Sequence, residues 1–240
     1  LKPTTTLAAR MGRLQALRDM GYQVGSGIIL GLPGQDRISV SRDLLLCAEE
    51  EYEMVSIGPF VPHPDTPLGR RVRDQGQTQA SAAALAPART PNVRATLNTI
   101  AVARLLTPMA HIPATTALGV VGRQDGGWRG QAARYLAATA ALCGDGRDDR
   151  DSCGNSEYCG DARYLALLAG ANVLMLDVTP WEYRSYYEIY PGKPGADGDE
   201  LSRSVNSAIR EIRRLGMSVC PGRGDSPKGA WGRAAQKREH

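Results

Sequence analysis

The stretch GSGIILGLPGQ, residues 25–35, decides how this chain is read. Ile28, Ile29 and Leu30 form an apolar run closed by the tight turn Gly31-Leu32-Pro33-Gly34, while Gly25 and Gly27 let other backbone or a ligand approach. Residues 22–30 are therefore expected to be a buried strand. Before it, Leu7, Met11, Leu14 and Leu17 recur at helical spacing, and Gly21 is placed to end that helix. After it, residues 36–50 are expected to be helical with Leu44, Leu45 and Leu46 inward, and Met54–Phe60 to be a second apolar strand leading into a Pro-rich loop.

The same alternation continues. Helical periodicity returns at 96–106, a third strand is expected at Met109–Pro113, residues 161–169 read as helix, and Asn172–Asp177 as a fourth strand. A Tyr-rich turn or helix follows, then a last helix at about 200–215 and a polar, basic tail expected to be solvated. Two stretches interrupt the pattern. Residues 70–93 are low in complexity and read as a flexible insertion. Residues 123–160 join an Ala-rich segment to a Gly/Asp/Arg/Cys-rich loop.

Helix and strand thus alternate four times, and every strand reads as apolar on both faces. That implies parallel strands with helices outside, in a barrel or a doubly wound sheet. Without the two insertions the core is roughly 180 residues, short of the roughly 250 of a complete (β/α)8 barrel. The unusual residues fall after the C-terminal ends of all four expected strands: GLPGQ (31–35), PFVPHPDTPL (59–68), PATTALG (113–119) and DVTPWEYRSYYEIYPGK (177–193). In a parallel α/β fold that edge carries the active site.

Composition narrows the function. Of 240 residues 42% are hydrophobic and 22% charged, with 29 basic against 25 acidic side chains; a balance of +4 gives no reason to expect nucleic acid. No apolar run approaches the roughly 20 residues of a membrane span, and no basic-then-apolar leader opens the chain. Five cysteines (Cys47, Cys143, Cys153, Cys159 and Cys220) are too few for a disulfide scaffold, which favours a reducing intracellular compartment. The first residue is Leu1, so the chain is expected to be a fragment or a processed product.

GSGIILGLPGQ resembles the fifth strand of radical S-adenosylmethionine (SAM) enzymes of the biotin-synthase type. MVSIGPFVPHPDTPL (54–68), HIPATTALG (111–119), AGANVLMLDVTP (169–180) and YRSYYEIYPGK (183–193) together resemble the [FeFe]-hydrogenase maturase family HydE, over about residues 10–69, 95–122 and 163–193. The resemblance implies the C-terminal half of a barrel, strands five to eight, within residues 1–193, followed by a helical and basic tail at 194–240. It implies an enzyme in which a 5′-deoxyadenosyl radical, made from SAM at a [4Fe-4S] cluster, attacks a small iron-containing substrate, with other hydrogenase maturases as partners. An anaerobic cytoplasm, or an organelle such as the chloroplast, follows. The family's cluster loop is Cys-x3-Cys-x2-Cys, and no cysteines here have that spacing. The cluster ligands are therefore expected upstream, this chain alone is expected to be inactive, and no metal site is assigned within it. Biotin-synthase-like and methylornithine-synthase-like enzymes stay open, as does a truncated non-catalytic remnant that binds a partner.

Site residues follow from the resemblance and from their chemistry. Gly27 and Gly31 lack a Cβ, which suits an adenosine lying against the strand or, equally, tight packing. Met54 offers a flexible apolar face to adenine or is an ordinary core residue. With Tyr190 these form the SAM set. Thr115 and Thr116 carry hydroxyls suited to an anionic substrate group, or close the strand in a hydroxyl-backbone turn. Tyr187, three residues before Tyr190 and on the same face if helical, joins the two threonines as the substrate set. No catalytic residue is assigned. Arg184 reads as an anion partner or a surface ion pair, His63 as a hydrogen-bonded loop residue, and His111 receives no role. Asp177 stands where the family has Asn; it either alters the pocket or caps the strand.

Overall fold

The computed structural model describes residues 5–77, 93–124, 161–186, 190 and 200–228. Its elements are α1 (Leu7–Asp19), β1 (Gly25–Leu30), α2 (Arg37–Glu49), β2 (Met54–Pro59), α3 (Pro67–Gln77), α4 (Val93–Leu106), β3 (Pro113–Ala114), α5 (Thr116–Gln124), α6 (Ala162–Leu168), β4 (Val173–Leu174), a 3₁₀ turn (Trp181–Tyr186) and α7 (Glu200–Arg214). The four strands form one parallel sheet in the order β1-β2-β3-β4, with Gly25 opposite Met54, Ile57 opposite Ala114 and Pro113 opposite Val173. The order follows the sequence without a reversal, a winding compatible with part of a barrel. β3 and β4 are shorter than the sequence suggests; His111 reaches β2 only through an isolated bridge to Met54.

Helix ends are set by local chemistry. Thr6 accepts from the Ala9 amide at the start of α1, and Asp36 and Ser39 form a reciprocal capping box on α2. Hydrogen bonding from Ser39, its backbone amide first and its side chain second, holds the exposed Asp36 carboxyl below its usual range. α1 ends in a Schellman motif, with Gly21 at φ +85° and the Gly21 and Tyr22 amides donating to Arg18 and Leu17. α6 and α7 end in the same way at Gly170 and Gly216. α2 uses the same bonds but places Glu51 at φ +50°. A side chain in that region costs about 1 kcal/mol. Glu51→Gly is therefore expected to stabilise the chain by about 0.5–1 kcal/mol, measured as an increase in denaturation midpoint at constant slope.

The two faces of β1 and β2 differ, which corrects the expectation that these strands are buried on both sides, whereas both residues of β3 are buried. Val24, Ile28 and Leu30 alternate inward with Val55 and Ile57, and α2, α4, α5 and α6 cover that face through Leu44, Leu97, Ile100, Leu118, Leu165 and Ala166. On the other face Gly25, Gly27, Ile29 and Met54 are exposed, and Ser56 and Gly58 half-buried. Apolar strand residues signalled burial, but Gly25, Gly27, Ser56 and Gly58 between them share the other face. α1 buries no side chain, although Leu14 packs at the core's edge.

Two expectations about irregular segments also change. α3 extends to Gln77, and so covers the start of the expected flexible insertion; residues 78–92 and 125–160, with Cys143, Cys153 and Cys159, lie outside the described residues. The chain after α7 is not a free tail as far as Lys228. Leu215 and Met217 pack on the core, Ser226 is fully buried with its amide donating to Gln23 Oε1 at 2.8 Å, and Gln23 Nε2 donates to Asp225 at 2.9 Å. Lys228 Nζ donates to the Tyr52 carbonyl at 3.4 Å, and burial holds its pKa down. Cys47 sits in the core, where burial, and Asp43 beside it, push its thiol up to about 11. Among the described residues no helix is long and apolar enough to cross a membrane.

Candidate functional site

A cavity of about 430 Å³ opens at the C-terminal ends of β1 and β2, on the sheet face that the helices leave bare. Gly27, Ile29, Ser56 and Gly58 form its floor, Phe60, Val61, His63 and Thr66 one wall, and Thr115, Ala117 and Tyr190 the other.

The floor is flat because the strands approach closely. A Cβ on Gly27 would stand 2.6 Å from the Ser56 carbonyl oxygen, so this glycine answers to the neighbouring strand rather than to a helix. A Cβ on Gly58 would stand 3.0 Å from Thr115 Oγ1. That hydroxyl therefore lies over the open side of Gly58, on the cavity side. Thr115 is 9% exposed and its Oγ1 has no hydrogen-bond partner among the described residues, while its carbonyl accepts from Leu118 and Gly119 as α5 begins. Buried hydroxyls are nearly always paired, so an unpaired one on a cavity wall points to a ligand.

Thr115→Val keeps the shape and removes the unpaired group. The substitution is expected to stabilise the free chain by about 1 kcal/mol in urea denaturation while weakening any ligand that the hydroxyl holds. A loss of stability would mean that the hydroxyl has a partner in the free chain.

The wall after β2 is tightly built. The His63 carbonyl accepts from the Thr66 amide at 3.1 Å and from Thr66 Oγ1 at 2.9 Å, and Thr66 Oγ1 accepts from the Gly69 amide at 3.0 Å as α3 begins. The Asp65 amide donates to His63 Nδ1 at 3.2 Å. Gly69 lies directly against the His63 carbonyl, where a Cβ would overlap it.

Of the expected SAM set, Gly27 and Tyr190 reach the cavity. Gly31 does not line it. Its φ of +85° requires glycine, and Gln35 braces the turn by accepting from the Gly31 amide at 2.8 Å and donating to the Ile29 carbonyl at 2.9 Å. Met54 lies on the bare face at the opposite end of β2 from the cavity. Of the substrate set, Thr115 lines the cavity, Thr116 opens α5 outside the lining, and Tyr187 lies outside the described residues, as does the Arg184 side chain. Asp177 Oδ1 accepts from the Thr179 amide at 3.0 Å, an Asx-turn that caps the strand. Ser56, Phe60 and His63 were missed as site residues. Their signal was the same-face spacing of Ser56 and Gly58 and the position of the Pro-rich loop beyond the strand end.

Behind the Thr115 wall, Arg163 and Asp161 hold α5, α6 and β4 together. Arg163 Nε donates to both Asp161 oxygens at 3.0 Å, Nη2 donates to Oδ2 at 2.6 Å, and Nη1 reaches the Met175 carbonyl at 2.8 Å. Burial works against the Arg163 charge, and the bonds to Asp161 outweigh it, so its pKa is raised. Gly119 of α5 gives this pair its space: a Cβ there would stand 3.0 Å from both Arg163 Nε and Asp161 Oδ1.

No family model matches the chain. Over 193 residues it is 33% identical to the [FeFe] hydrogenase maturase subunit HydE of Thermotoga maritima, a stretch covering 80% of this chain and 40% of that protein. The chain is similar to HydE. The match bears out the resemblance carried by the four sequence blocks, three of which contribute residues to the cavity. The chain spans less than half the length of HydE, at 40%.

Proposed function

We propose that this chain supplies strands five to eight of a radical SAM (β/α)8 barrel acting in [FeFe]-hydrogenase maturation. The similarity to HydE carries the reading. A parallel sheet wound in sequence order, helices on one face and a cavity on the other support it. In this reading the bare face is the inside of the barrel, residues 1–193 are the half-barrel with insertions at 70–93 and 123–160, and 194–240 is an appended helical segment whose stretch to Lys228 packs back on the body.

The cavity fits a nucleoside. Its glycine floor admits a flat group, Phe60 and Tyr190 offer aromatic faces, and the Thr115 hydroxyl awaits a partner. Gly27 and Tyr190 would hold SAM there, and its chemistry would be to supply, on reduction, a 5′-deoxyadenosyl radical for attack on a small iron-containing substrate. The residues of this chain hold and orient: Gly27 and Tyr190 face the nucleoside, and Thr115 faces the substrate. No cysteines of this chain have the Cys-x3-Cys-x2-Cys spacing, so this reading assigns the iron–sulfur cluster to a segment upstream. Other hydrogenase maturases as partners, and an anaerobic compartment, belong to the same reading.

Titration of the chain with 5′-deoxyadenosine tests the reading. Binding is expected at the cavity, and Tyr190→Ala is expected to weaken it about tenfold through lost stacking. Absence of binding, or binding indifferent to Tyr190, overturns it.

A further inference from the structure

We propose that His63 is a ligand-binding residue of this cavity, held by its own loop as the tautomer that donates from Nε2. The inference rests on the cavity reading above and adds a residue to it. The Asp65 amide is a donor and cannot accept, so His63 Nδ1, 3.2 Å away, must be the acceptor. In the neutral ring the proton then sits on Nε2.

The loop is built to keep that arrangement. The His63 carbonyl is pinned by Thr66 through both amide and hydroxyl, Thr66 is pinned in turn by Gly69, and Gly69 has no Cβ to push the carbonyl away. A histidine that merely filled a loop would not need its backbone fixed on both sides. Asp65, whose side chain is 89% exposed, contributes its amide to the ring and leaves its carboxylate 3.8 Å from Nδ1. His63 lines the cavity with its side chain 27% exposed, and Thr115 lines the same cavity. His63 Nε2–H is a donor, so the group it recognises carries lone-pair acceptors: a ribose or purine acceptor of a nucleoside, or the oxygens of a small carboxylate.

The test uses the ¹⁵N-labelled chain. At a pH where the rings are neutral, long-range ¹H–¹⁵N correlation should show His63 with Nδ1 unprotonated and Nε2 protonated, assigned by its loss in His63→Gln. 5′-Deoxyadenosine and acetate are then titrated separately. At least one should shift the His63 ring signals. That probe should bind about 3- to 10-fold more weakly to His63→Leu, and within about 3-fold of wild type to His63→Gln, whose amide still donates. A ring protonated on Nδ1, or a probe bound equally by wild type and His63→Leu, overturns the inference alone. Binding of acetate without 5′-deoxyadenosine, with the His63→Leu loss intact, keeps the inference and overturns the nucleoside reading. Failure of both probes to bind wild type overturns both.

Discussion

Arg163→Met is expected to lower the stability of the chain by about 3 kcal/mol, the cost of removing the guanidinium from a largely buried carboxylate. The Arg163 and Asp161 side chains are 17% and 13% exposed, and the guanidinium also carries the Met175 carbonyl. A surface pair would be worth less than about 1 kcal/mol, so the size of the loss separates the two cases. Denaturant melts of Arg163→Met, Asp161→Asn and the double variant measure it. The double variant should lose less than the sum of the two single losses, because the two side chains interact directly. A loss below about 1 kcal/mol would mean that the pair is solvated and that α5, α6 and β4 are held by apolar contacts alone.

Gly69→Ala is the second large effect, with about 3 kcal/mol lost. Its Cβ would overlap the His63 carbonyl, which is backbone and cannot swing aside, so the loop or the start of α3 must move. The His63 ring signals should change in the same variant, since its carbonyl is one anchor of the ring. Gly12→Ala is the contrast. Gly12 lies inside α1 with nothing within 4 Å of its would-be Cβ, and the substitution should stabilise by about 1 kcal/mol. Equal effects at the two positions would remove the role given to the loop.

The elements were legible where local chemistry is strong. Gly21 and the Gly-Leu-Pro-Gly turn mark their helix and strand ends in the sequence itself, and the helix expected at 36–50 is α2 at Arg37–Glu49. The faces were harder to read. Ile29 looks as buried as Ile28, but it is 53% exposed, because burial depends on which side the helices pack. Of the candidate site, Gly27, Thr115 and Tyr190 were reached through the resemblance, and they meet in one cavity. His63 was passed over because a lone histidine between prolines has no sequence neighbour to mark it as a ligand-facing group. Its significance comes from the Asp65 amide, Thr66 and Gly69, whose bonds exist only once the loop is folded. The return of Asp225, Ser226 and Lys228 to the start of β1 and β2 was equally hidden: its partners, Gln23 and Tyr52, lie some two hundred residues earlier in the chain.

Determining the coding sequence upstream of Leu1 tests the half-barrel reading most directly. That reading predicts an in-frame Cys-x3-Cys-x2-Cys about 150 residues before Leu1, after a first strand of the same barrel. A reading frame that opens close to Leu1, with no such cysteine motif ahead of it, would contradict the reading.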